Sequence, residues 1–244
     1  MVALPPVAAR FDYQLGGAYP PPPGVRVAVR DRGAAAAPGT YGICYVNAFQ
    51  TQPGEAGWWK QHHDDLLLHR TPTTYVSDPD WPGEVLLDTS TAGRRAAIAG
   101  IVGGWIDGCA RAGYRAIEPD NLDSWERSQG RLTSGHNLGL AKLLAARAHL
   151  RGLAITQKNA AEVTEAGRDV VGFDFAVVEG CQVYGECDIY ITAYAGRVLQ
   201  IEYTDTGRGP FTAACAAHGG AISIILRDRD LVPRSQPGYI YEAC

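Results

Sequence analysis

Ile117-Glu118-Pro119-Asp120-Asn121, preceded by the apolar run from Tyr114, carries two carboxylates and an amide directly behind an apolar segment. It reads as a buried strand whose carboxyl end opens into a polar site. Side chains alternate along a strand, so Glu118 and Asp120 point to the same side, one layer apart. Pro119 has no N–H to give a ladder, so pairing ends there. A carboxylate is costly to bury without partners. Two on one side therefore call for donors, a cation or a substrate. The alternative is an acidic cluster that only caps the next helix, and the rest of the chain has to decide between them.

Outward from this strand the pattern is regular. Apolar runs over residues 11–15, 25–29, 41–46, 114–119, 153–157, 173–178, 198–201 and 221–226 read as strands. Helices are predicted over 91–112, with Ser90 or Thr91 as N-cap and Gly113 as stop, and over 135–151, stopped by Gly152. Shorter helices are predicted over 160–168, 188–195 and 211–218. The first two connections lack proper helices, because Pro20 to Pro23 excludes one and Ala34 to Ala37 is too short before Pro38-Gly39. Residues 48–83 form a long irregular stretch with a helix predicted over 58–69, of the kind that serves as a functional loop or lid. The tail, with Pro233 and Pro237, reads as irregular.

Continuous apolar strands alternating with helices mean a parallel sheet. Eight of them predict an α/β fold, a (β/α)8 TIM-type barrel with reduced helices after the first two strands, as one domain over residues 1–244. In such a barrel the strand ends converge on one face. Here they supply Gln14, Asp31, Asn47, Glu118, Asp120, Lys158, Asn159, Glu179, Glu202 and Asp228. An open doubly wound sheet is the other arrangement, but no Gly-x-Gly-x-x-Gly or P-loop supports nucleotide binding on it.

The totals narrow the function. The chain has 244 residues, 46% of them hydrophobic, with 22 Lys and Arg against 26 Asp and Glu, for a net charge of −4. That balance, without a Lys/Arg cluster, argues against a nucleic-acid partner. The longest apolar stretch, 96–106, is too short to span a bilayer. Residues 1–10 lack a signal-peptide pattern, and a leader removed upstream stays open. Six cysteines allow 15 pairings. Cys181 and Cys187, bracketing a short loop, are the favoured pair, and disulfides point to a secreted or extracytoplasmic protein.

The converging groups are mostly carboxylates, which suits glycoside hydrolysis by a protonated and an ionised acid. Asp120 and Glu179 fall on the fourth and sixth strands. The surrounding acids Asp31, Asp88, Glu118, Asp123 and Glu202 would attract a cationic ligand, such as an amino sugar with a free amine. Trp58, Trp59, Trp81 and Trp125 are candidates to stack on sugar rings, or else to pack in the core or a lid. His62-His63-Asp64-Asp65 resembles a metal cluster only by composition and reads as a solvated helix face. No metal or cofactor is called for. Without a Gly-x-Ser-x-Gly elbow, serine hydrolysis has no anchor. Lys158 could form a Schiff base in a barrel lyase or aldolase, or pair with a carboxylate and bind substrate.

These residues resemble a known family. Ile117-Glu118-Pro119-Asp120-Asn121, Lys158-Asn159, Phe173-Asp174-Phe175-Ala176-Val177 leading to Glu179 and Cys181, and Ile201-Glu202-Tyr203 are similar to glycoside hydrolase family 114, the endo-α-1,4-polygalactosaminidases. Tyr41-Gly42-Ile43-Cys44-Tyr45, Trp81-Pro82-Gly83-Glu84, Leu87-Asp88 and the Cys181–Cys187 spacing match too, so the resemblance covers roughly residues 11–226. It implies a (β/α)8 fold and endo-acting cleavage of an α-1,4-linked galactosamine polymer. Asp120 would be the nucleophile and Glu179 the general acid/base. Gln14, Asp31, Tyr45, Asp88, Glu118, Asn121, Asp123, Lys158, Asn159, Glu202 and Tyr203 are the expected substrate-binding set. The chain departs from the family pattern at Val178 and Gly180, which flank Glu179 where Asn and Gln are usual. Its second strand, with Arg26, Ala28 and Arg30, keeps only Asp31 as an acid. These changes motivate a second reading, a catalytically inactive carbohydrate-binding barrel.

Overall fold

The computed structural model describes residues 2–52 and 54–244, so Pro53, within the predicted 48–83 loop, and Met1, within the signal-peptide reading of residues 1–10, lie outside the described residues. Eight parallel strands follow one another in chain order: β1 (Phe11–Gln14), β2 (Val27–Asp31), β3 (Tyr41–Asn47), β4 (Ala116–Asp120), β5 (Ala154–Lys158), β6 (Phe175–Glu179), β7 (Val198–Tyr203) and β8 (Ser223–Arg227). This is the predicted barrel. One set of alternating residues, including Phe11, Val29, Ile43, Phe175 and Ile201, fills its interior. The other set, including Val46, Ile117, Ile155 and Val178, packs outward against Ile98 and Val102 of helix Ala92–Arg111 and Leu140 and Leu144 of helix Ser134–Leu150. Both helices start at a threonine whose side chain accepts an amide hydrogen bond, Thr91 from Arg94 and Thr133 from His136.

Among the described residues no helix follows β1 or β2, as expected. There the outward positions Asp12, Gln14 and Arg30 are polar instead of apolar. Arg30 Nε donates to Gln14 Oε1 (2.9 Å), Gln14 Nε2 donates to Asp12 Oδ2 (2.7 Å), and the Tyr19 hydroxyl donates to Asp12 Oδ1 (3.0 Å). A buried hydrogen-bonded layer thus stands where a helix would otherwise bury apolar side chains.

Among the described residues no ladder joins β8 to β1. The seam is closed by a ninth strand, β9 (Tyr241–Ala243), antiparallel to β8, in the tail that the prolines had suggested was irregular. The Tyr241 hydroxyl donates to Phe11 O (2.9 Å), and the fully buried Arg227 donates to Tyr13 O and Asp12 Oδ1. Cys215–Cys244 anchors β9 to the helix Gly209–His218, Cys44–Cys109 ties β3 to helix Ala92–Arg111, and Cys181–Cys187 forms as favoured. Tyr241→Phe should lower unfolding free energy by about 1 kcal/mol, the worth of one hydrogen bond. Urea denaturation checks this, and an unchanged midpoint would show that the seam does not depend on that contact.

The third connection is more ordered than its sequence suggests. A helix over Ala56–His62 stops seven residues before Tyr75's hairpin partner His69, so the predicted 58–69 helix is cut short. Leu66, Leu67 and Leu68 are consecutive and all buried, which one helical stripe cannot achieve. Leu67 instead bridges to Leu87 in extended conformation. The predicted 160–168 helix is likewise broken into short 3₁₀, α and π turns over residues 161–171. No helix among the described residues is long and apolar enough to cross a membrane.

Candidate active site

The carboxyl ends of the strands build a three-layered ionic stack inside the barrel mouth. At the floor, the Tyr13 hydroxyl from β1 donates to Glu118 Oε1 of β4 (2.5 Å). Lys158 of β5 lies above, its Nζ 3.1 Å from Glu118 Oε1, 3.2 Å from Asp120 Oδ1 and 3.3 Å from Glu179 Oε2. Glu118 and Lys158 are sealed, whereas the Asp120 side chain is 18% exposed and that of Glu179 26%. The two upper carboxylates are the solvent-exposed members of this stack. Glu118 and Asp120 share a side, as alternation along β4 requires.

Each upper carboxylate has its own donors. The Tyr45 hydroxyl donates to Asp120 Oδ2 (2.6 Å). The Tyr203 hydroxyl donates to Glu179 Oε1, and Asn159 Nδ2 donates to Oε2 (3.2 Å) while its Oδ1 accepts the Glu179 amide (2.9 Å). Asn121 and Asn159 both follow strand ends with left-handed backbone, φ 66° and 48°, a conformation that asparagine tolerates. Those turns set the two amides at the rim. Asn121 Nδ2 donates to Asn47 Oδ1 (2.9 Å), and Arg127 donates to Asn121 and Asp123.

The charges follow from this packing. Burial pushes the Glu118 carboxyl up to about 7, against the opposing pull of Lys158, and its Oε2 has no hydrogen-bond partner. Burial also opposes ionisation of Asp120, but the Lys158 charge, the Tyr45 hydroxyl and the Asn121 amide outweigh it and hold Asp120 below the usual carboxylate range. Burial disfavours the Lys158 ammonium. Asp120, Glu179, Tyr13 and Glu118 more than compensate and raise its pKa well above normal. A lysine held protonated has no lone pair for Schiff-base chemistry. Tyr13, Tyr45 and Tyr203 are pushed up by burial and by their carboxylate neighbours, so they remain donors.

The stack opens into a cleft of two lobes. The first, about 440 Å³, is lined by both Asp120 and Glu179 together with Asp31, Asp78, Glu84 and Trp81. The second, about 480 Å³, is lined by Glu179 but not by Asp120. Asn159, Glu179, Tyr203, Asp123 and Arg229 border both. The arginines here are already paired, Arg127 with Asp78 (2.8 Å) and Asp123 (2.9 Å), Arg229 with Asp205 (2.8 Å). The cleft therefore presents an excess of acid.

Of the predicted substrate-binding set, Asp31, Tyr45, Asn121, Asp123, Lys158, Asn159, Glu202 and Tyr203 line one lobe or the other. Three residues do not. Gln14 faces away from the cleft into the polar layer outside the barrel, because the inward residue of β1 is Tyr13, one position earlier. Asp88 pairs with Arg94 (2.9 Å) and accepts from Ser90, just ahead of the Thr91 cap of helix Ala92–Arg111. Glu118 lies under Lys158, out of reach of the cleft. Among the tryptophans, Trp59 is core, Trp125 packs against the core, and Trp58 stacks with His62 on its own short helix. Only Trp81, 53% exposed, reaches the cleft. Sequence reasoning missed Tyr13, Glu84, Asp78 and Arg229. Glu84 sits in the long excursion, where no strand period indicates direction; Asn47 and Gln50 donate to its Oε2 at 3.0 and 2.6 Å.

The model of the glycoside-hydrolase family GH114 matches residues 1–244. Among solved structures, the chain is similar to Aspergillus fumigatus Ega3 in complex with galactosamine, with 23% identity, a TM-score of 0.79 and coverage of 100% of this chain and 98% of that one. It is also similar to the glycoside hydrolase domain of PelA from Pseudomonas aeruginosa, with 14% identity, a TM-score of 0.63 and coverage of 91% and 95%. No curated protein matches the sequence.

Proposed function

Since the chain belongs to glycoside-hydrolase family GH114 and is a glycosidase, we propose that it cleaves internal α-1,4 bonds of a galactosamine-containing polysaccharide, with Asp120 as nucleophile and Glu179 as general acid/base. The observation that carries the roles is the shared cation. Asp120 Oδ1 and Glu179 Oε2 both contact Lys158 Nζ, so these two oxygens are at most about 6.5 Å apart, the sum of those two contacts. Retaining glycosidases hold their carboxyls roughly 5–5.5 Å apart, and inverting ones leave about 6.5–9.5 Å for a water. That bound lies at the lower edge of the inverting range, and we read the bridged pair as a retaining one.

In that mechanism Glu179, at the junction of the lobes, gives its proton to the glycosidic oxygen as Asp120 attacks the anomeric carbon. The C–O bond to the leaving sugar breaks and a glycosyl–Asp120 ester forms. Glu179, now ionised, takes a proton from the water that hydrolyses the ester, and both carboxyls return to their starting states. Asp120 is suited to attack because its neighbours keep it ionised. Glu179 is the more exposed of the two and has room for a leaving sugar on its far side.

The substrate class rests on charge. Both lobes are acid-lined, and galactosamine occupies the similar Ega3 structure. A polymer of free amines would gain from these carboxylates; an acetylated one would not. Three disulfides favour a secreted enzyme, and residues 1–244 act as one catalytic domain. The test is cleavage of de-N-acetylated and fully acetylated galactosamine oligosaccharides, read by mass spectrometry. Shorter oligomers are expected from the de-N-acetylated set alone. Binding of both sets with cleavage of neither would replace this reading with that of a carbohydrate-binding barrel.

A further inference from the structure

The second lobe is built around the disulfide-closed loop that follows β6. Gly180 has φ +65° and starts a short helix, Cys181–Tyr184, and Cys181–Cys187 closes the loop behind it. A Cβ at position 180 would lie 3.3 Å from the Tyr184 ring, so the glycine leaves the ring room to lie against the backbone. Tyr184 is nonetheless 73% exposed, and it lines the lobe. Glu126, Glu162 and Glu186 line the same lobe. Glu126 and Glu186 are pushed up by partial burial and by the charge of Glu162. At the floor, fully buried Glu202 uses Oε1 to accept from the Gln182 amide (3.1 Å) and Gln200 (2.8 Å), while Oε2 has no partner. An exposed aromatic face, three clustered carboxylates and a buried acceptor left open are what a sugar ring carrying an ammonium group would satisfy.

We propose that this lobe is the leaving-side subsite, where the Tyr184 ring carries the sugar on the reducing side of the scissile bond and Glu126, Glu162 and Glu186 take its ammonium. The polarity rests on the catalytic roles proposed above. The lobe bordered by Asp120 must hold the sugar under attack, and the lobe bordered by Glu179 alone receives the departing one. It also assigns a use to the departure at Gly180, since a larger residue would push the ring into the lobe.

The experiment is hydrolysis of de-N-acetylated α-1,4-galactosamine oligomers of defined length, labelled at the reducing end, by wild type, Tyr184→Ala and Tyr184→Phe. The alanine variant should lower kcat/KM about tenfold and move the favoured bond, while the phenylalanine variant should keep both. Circular dichroism checks that this exposed truncation leaves the fold intact. A double variant, Glu162→Gln with Glu186→Gln, should lose a comparable factor at low salt. Wild-type kcat/KM and bond choice in Tyr184→Ala would overturn the subsite, and wild-type behaviour of the double variant would overturn the ammonium contact. Asp120→Asn run alongside separates the two levels: activity in that variant removes the catalytic assignment itself, whatever Tyr184 does.

Discussion

Asp120→Asn should leave turnover of galactosamine oligomers at least about 10⁴-fold below wild type, the scale seen when a catalytic unit loses its nucleophile. The amide is isosteric, but it cannot form the glycosyl ester, and it takes one negative charge from the group facing Lys158. Glu179→Gln should cost about 10²–10⁴-fold on the same substrate, the range for general acid–base catalysis. The two variants part on an aryl galactosaminide with a highly acidic phenol. That leaving group needs no proton, so the first chemical step should be near normal in Glu179→Gln and still absent in Asp120→Asn. Burst kinetics with the released phenolate read this directly. A burst in Asp120→Asn and none in Glu179→Gln would exchange the two roles. Near-normal turnover of natural substrate in either variant would remove that residue from the mechanism.

How much of this was legible before the structure depends on whether a local period or a spatial neighbour carried the information. β4 could be read almost to the residue, because an apolar run ending in Glu118-Pro119-Asp120 sets both the strand and its inward side. The same logic placed Lys158 and Glu179 at neighbouring strand ends. It failed at β1. All four residues of that strand are buried, two facing the barrel interior and two a polar layer outside it, so polarity alone pointed to Gln14 when the inward residue is Tyr13. A tyrosine at a strand end looks like core until its hydroxyl is found on Glu118. Asp88 misled for the opposite reason: a carboxylate after an extended segment is equally suited to a helix head, and Arg94 settles which. The tail strand and the acids of the 48–91 excursion have no sequence period at all. β9 is three residues long and held by a disulfide and by seam contacts to distant residues. Glu84 becomes part of the cleft only because Asn47 and Gln50 reach it across the chain.

Lys158→Met should destabilise the protein by about 3–5 kcal/mol and abolish activity, because it removes a buried cation and leaves its carboxylates behind. Methionine fills much of the same volume, so the loss is mainly one of charge compensation. In the wild type Lys158 holds Asp120 ionised and limits the rise of Glu118 to about 7. Without it, both carboxyls rise above their values in the unfolded chain, and the folded state binds more protons than the unfolded one. Stability then increases as pH falls and decreases as pH rises. The deficit relative to wild type should be largest at alkaline pH and shrink as the medium is acidified through the raised pKa values, where the buried acids become neutral. Wild-type Glu118 already shows the same sign on its own: its protonated form favours folding, an effect complete below the ordinary carboxylate range and lost as pH rises through about 7. Urea midpoints for both proteins at acidic and alkaline pH measure the difference. A deficit independent of pH would mean that Lys158 contributes packing and not compensation. A stable but inactive Lys158→Met protein at every pH would confine the lysine to positioning Asp120 and Glu179, with Glu118 and Tyr13 reduced to a passive floor.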